Sequence, residues 1–402
     1  MDTQQRHPGS MMEVFWVFLR LGLTSFGGPV AHLAYFREAF VERRRWLSEK
    51  AYADLVALCQ FLPGPASSQV GMALGLQRAG YGGMLAAWFA FTMPSVVLLV
   101  AFAYGVAAAG DLSEAGWISG LKAAAVGVVA HAVLGMARSL TPDAPRASIA
   151  AAAMIIVLLL PNPFVLVAAI AAAGVIGLLW LRPETEEQRP EDAFTVRVSR
   201  RAAACCLGLF ALLLAGLPLL AAAVQQGWIV LADLFYRAGS LVFGGGHVVL
   251  PLLQAETVHT GLVESDTFLA GYGAAQAVPG PLFTFAGFLG ASAEGQPSGM
   301  AGALMAVLAI FLPAALLVLG ALPFWEGLRR SATARRALMG VNAGVVGILA
   351  AALYDPVFTA GVLEGGLAAL SIAVVSFVAL NSWRAPAWAV VIAAGLLGWV
   401  IF

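Results

Sequence analysis

Charge is scarce in this chain. Of its 402 residues only 11% are charged, against roughly 25% in an ordinary soluble domain. Lys and Arg together number 22, as do Asp and Glu, so the formal net charge is zero. A balanced chain without a basic region has no electrostatic footprint for nucleic acid, which excludes that partner. Cysteine is equally sparse. Cys59, Cys205 and Cys206 show neither metal-ligand spacing nor a disulfide framework, and Cys205 and Cys206, in an apolar run, read as small buried residues. No HExxH helix, Walker loop or nucleophile elbow occurs, so enzyme chemistry and direct ATP-driven pumping lose their usual carriers and no cofactor is implied.

Apolar residues make up 61%. No charged side chain occurs in 79–110, 147–181, 202–232, 267–293 or 295–325, and each stretch exceeds the roughly 20 residues a helix needs to cross hydrocarbon. The composition is that of an all-α, polytopic membrane protein with the lipid bilayer as its solvent. The first apolar stretch carries Arg20 and lacks a small-residue cleavage site, so it reads as retained rather than as a signal peptide.

The sequence repeats internally. Phe26-Gly27-Gly28-Pro29 recurs as Phe243-Gly244-Gly245-Gly246 at a shift of 217, and Gln60-Phe61-Leu62-Pro63-Gly64-Pro65 recurs as Gln276-Ala277-Val278-Pro279-Gly280-Pro281 at a shift of 216. Gly120 and Gly127 match Gly340 and Gly347, and Arg20 and Arg237 each stand six residues before the Phe of their motif. Such ordered blocks define a first repeat over 1–181 and a second over 229–402. Between them, 182–228 holds a charged linker followed by an apolar segment, 204–223, without a counterpart in the first repeat.

One unpaired spanning helix inverts whatever follows it, and the loop charges agree with inversion. The loop after the first FGG holds Arg37, Arg43, Arg44, Arg45 and Lys50, whereas its counterpart holds Glu256, Glu264 and Asp266. Arg78 is matched by Glu294. Later loops reverse the order, acidic at Asp111 and Glu114 and basic at Arg329, Arg330, Arg335 and Arg336. Basic short loops stay cytoplasmic, and opposite signs in corresponding loops are the mark of an inverted repeat. Every basic loop falls on one side if the FGG and PGP segments enter and return as broken-helix hairpins over 13–40, 51–77, 229–255 and 267–292. Nine full spans then remain, near 84–108, 117–138, 146–161, 163–181, 204–223, 300–324, 336–354, 362–380 and 386–402.

Proline cannot continue a helix but is welcome as its first residue, so each motif reads as one half-helix ending and another beginning. Unpaired backbone in hydrocarbon costs several kcal/mol per group, and breaks of this kind persist only where they line a cavity. The start of each new half-helix presents free N–H groups and the positive end of its dipole, which suits an anion. Gly27, Gly28, Pro29, Gly64, Pro65, Gly244, Gly245, Gly246, Gly280 and Pro281 are therefore candidate substrate-binding positions. Arg20 and Arg237 join them, because an intramembrane guanidinium fits an oxyanion's fork, as do Gln60 and Gln276 at the ends of the preceding half-helices. His32, His247, Asp54 and Lys122 are candidates for carrying a coupling proton, and Asp233 shares that chemistry. Each polar residue has a plainer reading beside the functional one: an arginine snorkels, a glutamine caps, a histidine completes a hydrogen-bond network.

Phe26-Gly27-Gly28-Pro29-Val30-Ala31-His32, Arg44-Arg45-Trp46-Leu47, Ala57-Leu58 and Leu62-Pro63-Gly64-Pro65 with Gln69 resemble the chromate ion transporter family. So do Phe243 to Pro251 and Gln276 to Pro281, and two such halves look like its long-chain form. The resemblance implies export of chromate across the bacterial inner membrane, conferring chromate resistance, with the proton motive force as the drive. It also suggests a link to sulfate, a tetrahedral dianion of like shape. The residues by themselves reach only "oxyanion". An oxyanion channel or a sulfate transporter with the same site stands as the alternative, and protons and a second copy of the chain are admissible partners.

Overall fold

The computed structural model describes residues 9–109, 116–160, 163–182, 194, 196, 198–243, 249–258, 260–295 and 297–402. Among them the chain is helical, with no strand. The first repeat comprises α1 (Met11–Thr24), α2 (Gly28–Arg37), α3 (Glu49–Phe61), α4 (Ala66–Ala109), α5 (Gly116–Leu140), α6 (Ala144–Leu159) and α7 (Pro163–Trp180). After it comes α8 (Arg200–Val224), with Ala203 as its buried residue. The second repeat comprises α9 (Gly227–Leu241), α10 (Val249–Thr257), α11 (Ser265–Ala277), α12 (Phe285–Ala291), α13 (Gly299–Ala321), α14 (Trp325–Arg330), α15 (Ala332–Ala352), α16 (Gly366–Asn381) and α17 (Ala387–Ile401). Ser10, Ser48, Asp143, Ser199 and Ser331 cap helix starts by accepting from a backbone N–H three residues on, which is why helices begin after these residues.

A helix occupies each of the nine expected spans. Among the described residues, five stretches are long and apolar enough to cross a membrane outright: Ala66–Ala108, Gly116–Leu140, Arg200–Val224, Gly299–Phe324 and Ala332–Leu363. Two boundaries differ from expectation. The first return limb and the span after it form one continuous α4, bent where Ala79 and Gly80 leave helical geometry. α15 runs on through wider turns over Leu353–Leu363, with Asp355 extended before Pro356, the backbone that a following proline imposes. Large apolar side chains such as Leu179, Leu219, Leu367 and Val400 face outward, as a lipid-facing shell requires.

The hairpins are defined by who meets at their open ends. Gly9 N–H donates to Arg78 O at 3.1 Å, Arg78 pairs with Glu13 at 3.0 Å and lies 4.9 Å over the Trp46 ring, and Arg37 pairs with Glu49 at 2.6 Å. The start of α1, the end of α2, the start of α3 and the bend of α4 thus share one rim. At the opposite rim Leu262 N–H donates to Thr257 O and Glu294 N–H to Leu262 O, each at 2.8 Å, joining the ends of α10 and α12 to the start of α11. Gly299, opening α13, sits beside the Tyr104 hydroxyl near the end of α4. α13 then returns to the first rim, where Trp325 Nε1 donates to Asp54 of α3 at 2.9 Å.

The two repeats are interlocked through their paired glycines. A Cβ on Gly120 would stand 2.2 Å from the Ala394 carbonyl oxygen of α17, and one on Gly340 would stand 2.1 Å from that of Ala173 in α7. Gly127 likewise meets Ala373 of α16 at 2.8 Å, and Gly347 meets Ala150 of α6 at 2.0 Å. Each repeat therefore seats the other's closing helices against its own long helix, and only glycine permits that backbone approach.

Candidate functional site

The four interruptions meet in crossed pairs. Gly64 N–H, in the first PGP, donates to Val242 O at 2.7 Å, just ahead of the second FGG; Gly280 N–H, in the second PGP, donates to Ser25 O at 2.9 Å, just ahead of the first. Ser25 and Val242 are themselves repeat equivalents at a shift of 217. Each donor glycine has a left-handed backbone, φ 118° at Gly64 and 102° at Gly280, which a side chain would strain. A Cβ at Gly64 would approach Ala314 at 3.5 Å, and one at Gly280 would approach Ser95, the equivalent of Ala314, at 3.2 Å. The backbone framework is thus twofold in its contacts, with each hairpin tip stitched to a tip from the other repeat.

At the first FGG, Gly27 and Gly28 both have positive φ, and α2 opens with Pro29 in its first turn and no side-chain cap. Its starting N–H groups are left to other acceptors. At the first PGP, Leu62 is extended and α4 begins at Ala66, immediately after Pro65. The second PGP enters a short 3-10 turn, Leu282–Thr284, before α12. Gly244, Gly245, Gly246 and His247 lie outside the described residues.

Side chains break the symmetry that the backbone keeps. His32 is fully buried, with Nε2 3.2 Å from Ser25 O and Nδ1 3.3 Å from Ser67 Oγ. A carbonyl only accepts, so Nε2 carries the hydrogen, and in the neutral ring Nδ1 accepts from the Ser67 hydroxyl. Gln69 Nε2 donates to Pro63 O at 2.8 Å. The positions equivalent to Ser25, His32, Ser67 and Gln69 are Val242, Val249, Phe283 and Phe285, all apolar and buried. The tips of the first repeat are polar where those of the second are greasy.

The candidate arginines are likewise unequal. Arg20 is exposed on α1 and has no acidic partner among the described residues. Arg237 is engaged: Nη2 donates to Asp233 at 2.8 Å and to Glu256 at 3.1 Å, and Nη1 lies 3.0 Å from Glu256. Both carboxylates are buried, and their first-repeat equivalents are Trp16 and Ala39. The glutamines also differ, since Gln60 is exposed whereas Gln276 is buried beside the Tyr272 hydroxyl.

Two of the proton-carrying candidates belong to the rims. Asp54 accepts from Trp325 Nε1 at 2.9 Å and from Phe194 N–H of the linker at 3.1 Å, which fastens the linker between α3 and α14. Lys122 is held by Asp266 at 2.5 Å and Glu364 at 3.9 Å, joining α5 to the second repeat. Both have structural partners that account for their burial, and of the three described candidates His32 lies among the hairpin tips.

Sequence reasoning passed over Ser25, Ser68 and Thr92. All three hydroxyls are buried and have no hydrogen-bond partner among the described residues. A column-by-column reading of the two repeats marks Ser25 and Thr92, whose equivalents are Val242 and Phe311, and pairs Ser68 with another hydroxyl, Thr284.

Comparison with known proteins gives one consistent answer. The model of the family described as chromate transporter matches residues 12–178 and again 229–399. A chromate transport protein of Pseudomonas aeruginosa is 29% identical over 98% of this chain and 93% of its own length. An uncharacterized transporter of Methanocaldococcus jannaschii is 25% identical over 94% of this chain and 91% of its own. A chromate transport protein of Cupriavidus metallidurans is 26% identical over 86% of this chain and 82% of its own. No solved structure matches.

Proposed function

The chain belongs to the chromate transporter family, and on that premise we propose that it is a multi-pass membrane carrier that exports chromate, bound at the hairpin tips near the bilayer midplane. The observation that carries this reading is the crossed pair of hydrogen bonds, Gly64 N–H to Val242 O and Gly280 N–H to Ser25 O. They draw four helix interruptions to one place, where uncapped half-helix starts favour a tetrahedral dianion. The rim that gathers Arg37, Arg43, Lys50 and Arg78 is the cytoplasmic one under the positive-inside rule. The rim of Glu264, Asp266 and Glu294 is then external, and the two repeats are inverted relative to each other. Alternating access follows as movement of the hairpin layer against the interlocked α5 and α15 scaffold.

Within this proposal the binding residues are the motif positions Gly27, Gly28, Pro29, Gly64, Pro65, Gly244, Gly245, Gly246, Gly280 and Pro281, with Gln276 buried at the end of the half-helix before the second PGP. Arg20 and Gln60, exposed on the hairpins of the first repeat, meet the anion on its way in. Arg237 contributes by holding α9 to α10. The proton motive force drives export, and His32, among the tips, is the residue placed to link the proton to the anion. His247, four residues after Phe243 at the FGGG motif, is the second repeat's own candidate, although it is not the positional equivalent of His32.

Labelled chromate flux into everted membrane vesicles, with and without an imposed pH gradient and with sulfate as competitor, tests the reading. Saturable accumulation that collapses with the gradient supports a coupled carrier. Downhill flux indifferent to the gradient favours an oxyanion channel built on the same site, and sulfate uptake in preference to chromate favours a sulfate transporter. Absence of flux for both anions overturns the substrate assignment.

A further inference from the structure

We propose that the hydroxyls of Ser25, Ser68 and Thr92, all from the first repeat, are oxyanion ligands, so that the site is chemically one-sided although its backbone is twofold. The inference rests on the reading of the protein as an oxyanion carrier and assigns the side chains that hold the anion. A buried hydroxyl inside a membrane helix has an easy partner in the carbonyl one turn back. The hydroxyls of Thr24, Thr141, Ser148, Ser240, Thr257 and Ser371 all donate there, at 2.7–2.8 Å. Thr92 sits in the middle of α4 with that option open and does not take it, and its Oγ1 has no partner. Ser68, in the first turn of α4, and Ser25, between α1 and α2, are also without one. Each of the three is at most 2% exposed.

Unsatisfied buried hydroxyls are costly and need an explanation. Their placement supplies one. Ser25 O and Ser67 Oγ are bridged by the His32 ring, and Ser68 follows Ser67. Thr92 follows Phe91, whose ring stands edge-on to His32 at 5.4 Å and whose carbonyl oxygen lies 3.4 Å from the Cβ position of Gly280. The three free donors therefore belong to Ser25, which His32 contacts directly, and to Ser68 and Thr92, the chain neighbours of its contacts Ser67 and Phe91, next to the uncapped start of α2 and in the first turn and middle of α4. The described contacts of His32, namely Ser25, Ser67 and Phe91, are all uncharged. The ligand class is a tetrahedral oxyanion held by neutral hydroxyls and backbone N–H groups, the dipoles of α2 and α4 offsetting its charge.

The test uses the full chain with Ser25→Ala, Ser68→Ala and Thr92→Val, with Thr92→Ser as the conservative rescue. Thr284→Val serves as a control, because that hydroxyl already donates to Pro281 O at 2.7 Å. Two readouts run in parallel: chromate flux in vesicles, and the thermal midpoint of the purified protein with and without chromate or sulfate. Loss of a hydrogen bond to a charged ligand lowers affinity by about tenfold or more. Half-saturating chromate should therefore rise about tenfold in each of the three variants, and less than about twofold in Thr92→Ser and Thr284→Val. Without anion, midpoints of the three should stay level or rise, since a buried hydroxyl lacking a partner contributes no stability. Unchanged half-saturation in all three, with wild-type flux intact, overturns the proposal and leaves the transport function standing. If the wild type moves no chromate yet sulfate or chromate stabilises it and not the variants, the site stands and the transport reading falls. If neither anion moves nor stabilises the wild type, both are overturned.

Discussion

The two repeats solve the same backbone problem in the same way and then use the result differently. Gly64 and Gly280 share a left-handed backbone and make equivalent hydrogen bonds to the opposite repeat. Gly120 and Gly340 receive equivalent helices at nearly identical separations. Yet the tips of one repeat carry Ser25, His32, Ser67, Ser68 and Gln69, and those of the other Val242, Val249, Phe283, Thr284 and Phe285. Conversely, the second repeat carries the buried Asp233–Arg237–Glu256 cluster where the first has Trp16, Arg20 and Ala39. Duplication supplies a symmetric frame, and after that each repeat is free to specialise: the first presents polar groups at the tips, and the second braces a hairpin with ions.

The sharpest way to break this comparison is through the equivalent arginines. Arg237→Gln leaves Asp233 and Glu256 buried without their cation, and removing one partner of a buried ion cluster costs about 3–5 kcal/mol. Arg20→Gln removes an exposed guanidinium and should stay within about 0.5 kcal/mol. Thermal midpoints of the purified variants measure the difference, and Arg237→Gln combined with Asp233→Asn and Glu256→Gln should recover most of the loss. Equal losses at Arg20 and Arg237 would mean that the first repeat holds an ion cluster of its own.

The scaffold makes the opposite prediction, equality. Gly120→Ala and Gly340→Ala each place a Cβ some 2.1–2.2 Å from a carbonyl oxygen, and such overpacking costs about 1–3 kcal/mol. The two variants should lower the thermal midpoint alike. A loss confined to one of them would show that the crossed seating of α7 and α17 is not shared. Gly64→Ala and Gly280→Ala come next. A left-handed residue with a Cβ costs about 1–2 kcal/mol, and because the strain falls at the stitched tips, chromate flux should drop in both before membrane insertion does.

How much of this was legible in the sequence follows from the range of each effect. Glycine and proline act on their own backbone, so the first FGG break, the two PGP breaks and the Gly120/Gly340 and Gly127/Gly347 pairs could be read locally, whereas the limit expected at 77 could not, since α4 runs on past it. The value of a polar residue depends on what faces it. Nothing near Arg237 in sequence announces Glu256, which arrives from the other limb of its hairpin. Lys122 and Asp54 read as intramembrane charges until Asp266, Trp325 and the linker fold against them. Ser25, Ser68 and Thr92 are ordinary residues for a helix, and what distinguishes them is a missing partner, which only the assembled structure reveals.

The smallest expected effect concerns the linker. Asp54 has Ala270 as its second-repeat equivalent, so only the first repeat carries this fastening. Its carboxylate accepts from two fixed donors, Phe194 N–H and Trp325 Nε1. Asp54→Asn keeps the shape but turns one oxygen into an NH2, which must then face a donor. One hydrogen bond is lost at a cost of about 1 kcal/mol. Since the tips lie elsewhere, chromate flux should be nearly unchanged, whereas trypsin cleavage at Arg200–Arg201, just beyond the fastened segment, should quicken. Unchanged cleavage would show that α8 is held in place by its own packing on α9 and α13 of the second repeat. Lost flux with unchanged cleavage would return Asp54 to the transport pathway and extend the specialisation of the first repeat from its tips to its rim.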